Sequence, residues 1–342
     1  MAGTHLGQTT VGQPPQSWTI PHPFGPRVIA ALFLAAVLLA LSAQQVEMDR
    51  MLSLTGEWIA AQVGLRESSQ VGRGLSRVLL TMFPLQIAER TEVSRIEGLD
   101  RRRLPWLSRI EREETRQVKL NPETLKIEQH VEIKEYLVEP FGYLLRVLGK
   151  MIDTLEIGLW GTIIAVLVSL PLALWSACNY APHPIIYTTA RSTVSFLRAI
   201  PEMISALFLV LAYGFGPVAG ILALGFHAAG FLGKFYAEDI ENAEKGPQEA
   251  LFAIGANKLK VLWYGVLPQV LPQYIAYTLY ILDRNVRMAT VIGIVGAGGI
   301  GQELKGRYDM FNYGHVSTIL LALFVTVFLL DRLSAQLRAR LI

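Results

Sequence analysis

Residues 157–178 read IGLWGTIIAVLVSLPLALWSAC, an uninterrupted run of twenty-two residues without a charged side chain. A helix of this length measures about 33 Å, which matches the ~30 Å hydrocarbon core of a bilayer. Five further apolar runs, shorter or more interrupted, accompany it. Together they predict an all-α membrane protein with about six transmembrane helices. The six ranges are 28–43, 157–178, 193–213, 218–236, 270–292 and 311–330.

The composition of the 342-residue chain supports this interpretation. Hydrophobic residues make up 52% of the chain and charged residues 17%, whereas about a quarter of the residues in a soluble domain are charged. The net charge of +3 is too small to indicate nucleic-acid binding. The single cysteine, Cys178, excludes an intrachain disulfide and is interpreted as a structural thiol.

The N-terminal part of the chain has a different character. Residues 1–26 are polar and contain five prolines, which predicts a disordered cytoplasmic tail before a first transmembrane helix at 27–46. A cleaved signal peptide is the alternative for that apolar run, although the long polar tail and Leu41 fit it poorly. Residues 47–150 are densely charged and predict a small folded extracytoplasmic insertion.

Two elements are predicted within this insertion. Residues 75–88 carry spaced apolar side chains and indicate an interfacial helix. Residues 121–124, NPET, form a good turn between stretches with alternating apolar residues, which predicts a β-hairpin.

The rest of the chain, 151–335, is predicted to be a membrane core with five spans, followed by a short cytoplasmic tail at 336–342. A polar segment, 237–269, separates the fourth and fifth spans of the chain. Basic residues near span ends favour the cytoplasmic side, which places this segment and both termini in the cytoplasm. The basic residues on that side are Arg27, Arg191, Lys234, Lys245, Lys258, Lys260, Arg332, Arg338 and Arg340.

A motif in the polar segment indicates a partner. Glu249-Ala250-Leu251 is followed by Gly255 and then by Leu267-Pro268, a spacing that resembles the EAA loop of binding-protein-dependent ABC importers. Leu251 replaces the second alanine of that motif, and Gly265 stands where isoleucine is usual. Gly255 permits a sharp turn, and Pro268 is expected to separate the segment from the next span. The resemblance implies coupling to an ATPase through Glu249, Ala250, Gly255, Leu267 and Pro268.

No phosphate-binding loop of the type G-x-x-x-x-G-K-[ST] occurs in the chain, so the ATPase is expected to be a separate subunit. Residues 296–301 do match G-x-G-x-x-G, the fingerprint of a dinucleotide-binding enzyme. That enzyme is disfavoured, because no acidic residue follows about twenty positions later and no βαβ pattern surrounds the match. No Ser/His/Asp or paired-carboxylate constellation can be assigned, and His227 alone makes no metal site, so the chain is predicted to have no catalytic residue and no metal site.

A longer stretch carries a more specific resemblance. Arg284 and Arg287, followed by ATVIGIVGAGGIGQEL at 289–304, closely resemble permeases of the phosphonate/phosphite uptake family, as do 198–202 and 227–238. The resemblance covers roughly residues 150–335. It implies a type I, methionine-permease-like core in the bacterial cytoplasmic (inner) membrane, working as a homodimer. It also implies two ATP-binding subunits that hold ATP and Mg²⁺, an extracytoplasmic solute-binding protein, and no cofactor on this chain.

Arg284 and Arg287 are the predicted substrate-pathway residues, because intramembrane charges usually face a bundle interior or a water-filled cavity. The alternative is that they snorkel to the interface or pair with Asp283 and its neighbours. Arg191, Arg198 and Glu202 are interpreted as topology anchors with a local ion pair, and His227 as a packing or hydrogen-bonding residue. The glycines predicted to be flexible or gating points are Gly296, Gly298, Gly299 and Gly301.

Two alternative functions remain at this point. One is an importer of another small solute such as methionine, although the paired arginines favour an anion. The other is a channel or secondary transporter that needs no ATPase, which the EAA-like segment disfavours.

Overall fold

The computed structural model describes residues 25–65, 68–96, 98–101, 104–105, 107–120 and 127–341. Most of the predicted tail at 1–26, and the predicted turn at 121–124, lie outside these residues. The chain divides into two compact units after Val78, and each unit is described by itself.

The first unit contains α1 (Pro26–Gln45) and α2 (Met48–Gln62), and α3 (Gln70–Met82) begins in it. Pro26 lies in the first turn of α1, where its fixed φ suits a helix and its missing N–H is not needed. No residue of α1 is buried, and its length and apolarity suit a membrane span. A helix was predicted at 75–88, and the observed helix, α3, begins and ends earlier in the chain. It ends before Pro84 because proline disfavours helical geometry in the preceding residue.

Three antiparallel strands form a small sheet before the membrane core. β1 (Glu89–Glu92) and β2 (Arg109–Leu120) flank β3 (Ile127–Glu139), and Leu120 lies opposite Ile127. The β2–β3 pair confirms the predicted hairpin. The sequence does not predict β1, because its residues ERTE lack the alternation of apolar and polar side chains that indicates a strand.

The core is built around α4 (Gly142–Ser176) and α7 (Pro217–Asn242). A Cβ atom at Gly225 would lie 2.8 Å from Ile164 Cγ2, and one at Gly161 would lie 3.0 Å from Leu224 Cβ. Glycines at these positions let the two helices pack closely, as small residues do in membrane proteins generally. Because α4 begins at Gly142, the predicted start of the core at residue 151 falls inside a helix.

The span predicted at 193–213 is two helices instead of one. α5 (Pro184–Ala199) and α6 (Glu202–Tyr213) meet at an angle of 90°. Pro201 lies at the bend, where it has no N–H to donate and disfavours helical geometry at Ile200. The predicted break at 214–217 is present, since α6 ends at Tyr213 and α7 begins at Pro217.

Four of the described helices are long and apolar enough to cross a membrane, namely α1, α4, α7 and α12 (Tyr313–Leu341), and the number is five if the bent pair α5–α6 counts as one broken span. The remaining predicted span coincides with α10 (Leu267–Gly293), which has 27 residues but does not meet the same criterion of apolarity. Its polar residues include Asp283, Arg284, Asn285 and Arg287. The predicted fold class, an all-α membrane protein with a small β-containing insertion, is confirmed.

The predicted polar segment contains α8 (Lys245–Ala253) and α9 (Lys258–Val261). A π-helical turn, Leu262–Val266, joins α9 directly to α10. The expected separation at Pro268 is therefore wrong, because the chain stays helical there. Pro268 lies in the first turn of α10, after a wide turn that does not require its N–H. After α10, α11 (Gly299–Asp309) leads to α12.

Candidate functional site

Three ionisable side chains from separate helices meet inside the core. Glu202 begins α6, His227 lies in the middle of α7, and Arg284 lies in the second half of α10. The Glu202 carboxylate forms an ion pair with Arg284, and its Oε1 atom lies 3.0 Å from His227 Nε2. Arg284 Nη2 lies 3.1 Å from the same nitrogen. The side chains of Glu202 and Arg284 are only 12% and 25% exposed, so this is a largely buried group of charges.

The hydrogen bonds of His227 determine which ring nitrogen is protonated. Nδ1 lies 2.9 Å from the carbonyl oxygen of Ile200, and because a carbonyl can only accept, Nδ1 carries a proton. In the neutral ring, Nε2 then accepts from Arg284; in the charged ring, it donates to Glu202. His227 therefore connects the α5–α6 bend with α10 when it is neutral, and with Glu202 of α6 when it is charged.

The ring of Phe231, one turn further along α7, contacts two guanidinium groups. Arg284 Cζ lies 5.0 Å from the ring centroid and Arg198 Cζ lies 5.8 Å from it. We call Arg198, Glu202, His227, Phe231 and Arg284 the buried charged cluster. Its two arginines outnumber its one carboxylate, so the cluster carries excess positive charge whatever the state of His227.

The other predicted pathway residue, Arg287, has a different partner. It forms an ion pair with Asp283, one turn earlier in α10, and its side chain is 45% exposed whereas that of Asp283 is 6% exposed. This is the pairing that sequence analysis gives as the alternative to a pathway role. Arg284 thus contacts α6 and α7, whereas Arg287 pairs within its own helix.

The partners of Arg284 are not predicted from the sequence. Glu202 was expected to form a local ion pair near Arg198, but its ion-pair partner is Arg284, 82 residues later in the chain. A signal for this contact does exist in the sequence. Glu202, His227 and Arg284 each lie in a membrane segment, where an ionisable group needs a partner.

The segment that resembles the EAA loop presents an exposed surface. Glu249 and Ala250 are exposed on α8, and Gly255 makes the turn to α9 with a φ of +84°. Ile254, at the end of α8, is 81% exposed. It is one of several large apolar side chains that are exposed in this segment. The others in this segment are Phe252, Leu259, Trp263 and Tyr264.

The glycine-rich stretch after α10 packs against two other parts of the core. Gly216, in the break before α7, donates a hydrogen bond of 3.0 Å from its N–H to the carbonyl oxygen of Gly296. Ile300 N–H donates to Thr154 Oγ1 at 2.8 Å. A Cβ at Gly299 would lie 2.6 Å from that oxygen, so glycine is required there. These residues allow close backbone approach, and their role as flexible points stays a prediction.

Known proteins resemble this chain along much of its length. Residues 169–342 match the family described as binding-protein-dependent transport system inner membrane component. HtxE of Stutzerimonas stutzeri, named as a candidate phosphite transport system permease, is 62% identical over 261 residues, covering 76% of this chain and 100% of HtxE. The phosphite transport system permease protein PtxC of the same organism is 46% identical, covering 55% of this chain and 68% of PtxC. The phosphate-import permease protein PhnE of Mycolicibacterium smegmatis is 40% identical, covering 56% of this chain and 36% of PhnE.

Solved structures share the fold of the core. A chain of the MetNI methionine ABC transporter in an inward-facing conformation aligns with a TM-score of 0.51 at 22% identity, covering 57% of this chain and 96% of that chain. A chain of an amino acid ABC transporter crystallised with histidines aligns with a TM-score of 0.51 at 17% identity, covering 58% and 95%. These likenesses confirm the type I, methionine-permease-like core. Given the family match and the close relative covered along its full length, the chain belongs to the binding-protein-dependent transport inner-membrane family and is an ABC importer permease.

Proposed function

We propose that this permease imports phosphite or a phosphonate, and that Arg284 is the residue that meets the anion. The observation that carries the proposal is the excess positive charge of the buried charged cluster, placed on helices of the membrane core. Intramembrane charge of this kind usually belongs to a substrate pathway. The names of HtxE and PtxC, which refer to phosphite transport, support the same solute class.

Glu202 has a direct role in this proposal. Its carboxylate neutralises Arg284 while no solute is present. A phosphorus oxyanion offers the same kind of acceptor oxygens and forms paired hydrogen bonds with a guanidinium fork. The anion therefore competes with Glu202 for Arg284. Return of the carboxylate to Arg284 then favours release of the anion.

The pathway is proposed to lie at the two-fold axis of a homodimer. Each copy supplies Arg284 and Arg287, so that four guanidinium groups surround the passing anion. Arg287 is suited to this role because its side chain is half exposed despite its ion pair with Asp283. Gly296, Gly298, Gly299 and Gly301 are the proposed points where the backbone adjusts as the pathway opens.

In this proposal, transport is driven by separate ATPase subunits, which bind ATP and Mg²⁺. The permease chain itself binds no cofactor. The exposed segment with Glu249, Ala250 and Gly255 docks on an ATPase subunit. The continuous helix from α9 through Leu267 and Pro268 carries the resulting motion into α10, where Arg284 lies. A solute-binding protein delivers the anion from outside, and both termini of the permease lie in the cytoplasm.

The test is ATP hydrolysis by the full transporter in liposomes, with phosphite, alkylphosphonates, phosphate, sulfate and methionine as solutes. We expect phosphite or a phosphonate to stimulate hydrolysis. Arg284→Gln should weaken the apparent affinity for that solute about tenfold or more, since a hydrogen bond to a charged group is worth ~1.5–3 kcal/mol. Arg332→Gln, on α12 beside Phe328, is the matched control.

The variant Glu202→Gln/Arg284→Gln removes both charges and keeps the test valid if Arg284→Gln does not fold. Stimulation by methionine alone would overturn the substrate class. Uptake that proceeds without any ATPase subunit would contradict the proposed ATP-driven coupling.

A further inference from the structure

A small cavity of about 80 Å³ lies between the C-terminal parts of α4, α5 and α7. It shares Arg198 with the buried charged cluster, whereas neither residue of the Glu202–Arg284 ion pair lines it. Three cationic side chains and one carboxylate line it. They are Arg191, Arg198, Lys234 and Glu238, together with Ser176, Val194, Ser195 and Ala237.

The cationic side chains differ in how well they are neutralised. Arg191 donates to both carboxylate oxygens of Glu241, at 2.9 and 3.0 Å, and to the carbonyl oxygen of Ser176. Lys234 Nζ lies 3.5 Å from Glu238 Oε1. Arg198 has no carboxylate partner among the described residues. Its guanidinium group lies over the face of the Phe231 ring. The cavity therefore carries one uncompensated positive charge.

The cavity is also lined by Ser176, whose hydroxyl group makes no hydrogen bond to the described residues. Ser176 is 1% exposed, and its Oγ has no hydrogen-bond partner among the described residues. A buried hydroxyl without a partner costs free energy, so a ligand that accepts its hydrogen bond is favoured. The volume is several times the ~10–15 Å³ that a cavity needs to hold one water molecule, and it suits one small tetrahedral anion.

An apolar groove of about 350 Å³ lies beside the cavity on the next face of α5. Ala190 and Thr193 line the groove, whereas their direct neighbours Arg191 and Val194 line the cavity. The other residues of the groove are Leu172, Trp175, Ile186 and Thr189. A basic pocket between membrane helices with an apolar groove beside it has the chemistry that receives a lipid phosphate and its acyl chain.

We propose that the α4–α5–α7 cavity binds a phosphate-type oxyanion between Arg198 and Lys234. The adjoining groove favours the phosphodiester of an anionic phospholipid as its source, and a free oxyanion presents the same chemistry. Because Arg198 also belongs to the buried charged cluster, Lys234→Gln, which lies outside that cluster, distinguishes failure of this site from failure of the proposed function.

The experiment uses the full-length chain in nanodiscs and has two arms. In the first, native mass spectrometry follows retention of phosphatidylglycerol against phosphatidylcholine. In the second, equilibrium dialysis follows binding of radiolabelled inorganic phosphate to the chain in phosphatidylcholine nanodiscs. The variants are Arg198→Gln and Lys234→Gln, and Arg332→Gln is the control for general loss of positive charge.

We expect Arg198→Gln to weaken phosphatidylglycerol retention about tenfold, Lys234→Gln to weaken it by a smaller factor, and Arg332→Gln to leave it unchanged. The same pattern confined to the phosphate arm supports the site and identifies a free anion as its source. Lys234→Gln decides the outcome if Arg198→Gln does not fold, because Lys234 is half exposed and its ion pair is with Glu238 of the same helix. The proposal would be overturned if Arg198→Gln and Lys234→Gln bound both phosphatidylglycerol and inorganic phosphate as well as Arg332→Gln does.

Discussion

The side chain of Leu251 fills the space that Gly265 leaves open. A Cβ at Gly265 would lie 3.0 Å from Leu251 Cδ1, which is closer than real Cβ atoms normally approach a neighbour. These are the two positions where the chain departs from the EAA pattern, which has alanine at the first and isoleucine at the second. A small residue and a large residue have therefore exchanged places across the contact between α8 and the π-helical turn.

This contact predicts that the two departures compensate for each other. Gly265→Ile should destabilise the chain by about 1–3 kcal/mol through overpacking, and Leu251→Ala should destabilise it by leaving a cavity. The double variant should recover most of the loss, because it restores the large residue on the opposite side. Thermal unfolding of the four proteins measures this, and strictly additive effects would show that the two positions are independent.

The features that the sequence predicts well have local causes. The uncharged run at 157–178 needs no partner to be recognised as a span, and the cluster of two glycines and a proline at 214–217 favours a helix break through its local chemistry. The β-hairpin is likewise visible in the alternation on either side of its turn. Each of these signals lies within one continuous stretch of the chain.

The features that it does not predict depend on contacts between distant segments. Pro201 is visible in the sequence, but whether the chain bends there depends on what the end of α5 packs against. A Cβ at Gly230 of α7 would lie 2.8 Å from the backbone nitrogen of Arg198, so this glycine lets α5 end directly on α7. That placement brings Glu202 to His227 and Arg284, a pairing which no local spacing indicates.

Removal of one member of the Glu202–Arg284 pair should be strongly destabilising. Glu202→Gln leaves a largely buried guanidinium without its carboxylate, which should cost on the order of 3 kcal/mol. Glu202→Gln/Arg284→Gln should recover part of this loss. The measurement is thermal unfolding of the purified chain in detergent, with and without phosphite.

Phosphite should stabilise Glu202→Gln more than the unmodified chain, because the anion takes the place of the missing carboxylate. Equal stabilisation of the two proteins would contradict competition between the anion and Glu202. Arg332→Gln serves again as the control for a change in net charge.

Two glycines of α11 should respond to alanine in opposite ways. A Cβ at Gly301 would collide with the carbonyl oxygen of Thr290 and with Gly293, so Gly301→Ala should cost about 1–3 kcal/mol through overpacking. A Cβ at Gly306 meets nothing within 4 Å, so Gly306→Ala should stabilise the helix by roughly 0.5–1 kcal/mol. Thermal unfolding distinguishes them, and similar shifts for both variants would contradict the close packing at Gly301.

The single cysteine provides a test of both topology and electrostatics. Cys178 is exposed just beyond the end of α4, and its backbone N–H donates to Glu241 at 2.7 Å. Partial desolvation, and then the neighbouring Glu241 carboxylate, raise the pKa of the Cys178 thiol above its ordinary value. Since the thiolate is the reactive form, maleimide labelling should be slow at neutral pH and should still be accelerating above about pH 8.5.

Glu241→Gln removes a negative charge near the thiol and leaves Arg191 in place, so it should lower the thiol pKa and speed labelling at neutral pH. A membrane-impermeant maleimide should reach Cys178 in inside-out vesicles and not in right-side-out ones. Labelling from the outside would overturn the predicted orientation of α4. A labelling rate that levels off below neutral pH would show instead that the thiol pKa is lowered, and that the positive charge of Arg191 outweighs Glu241 at this site.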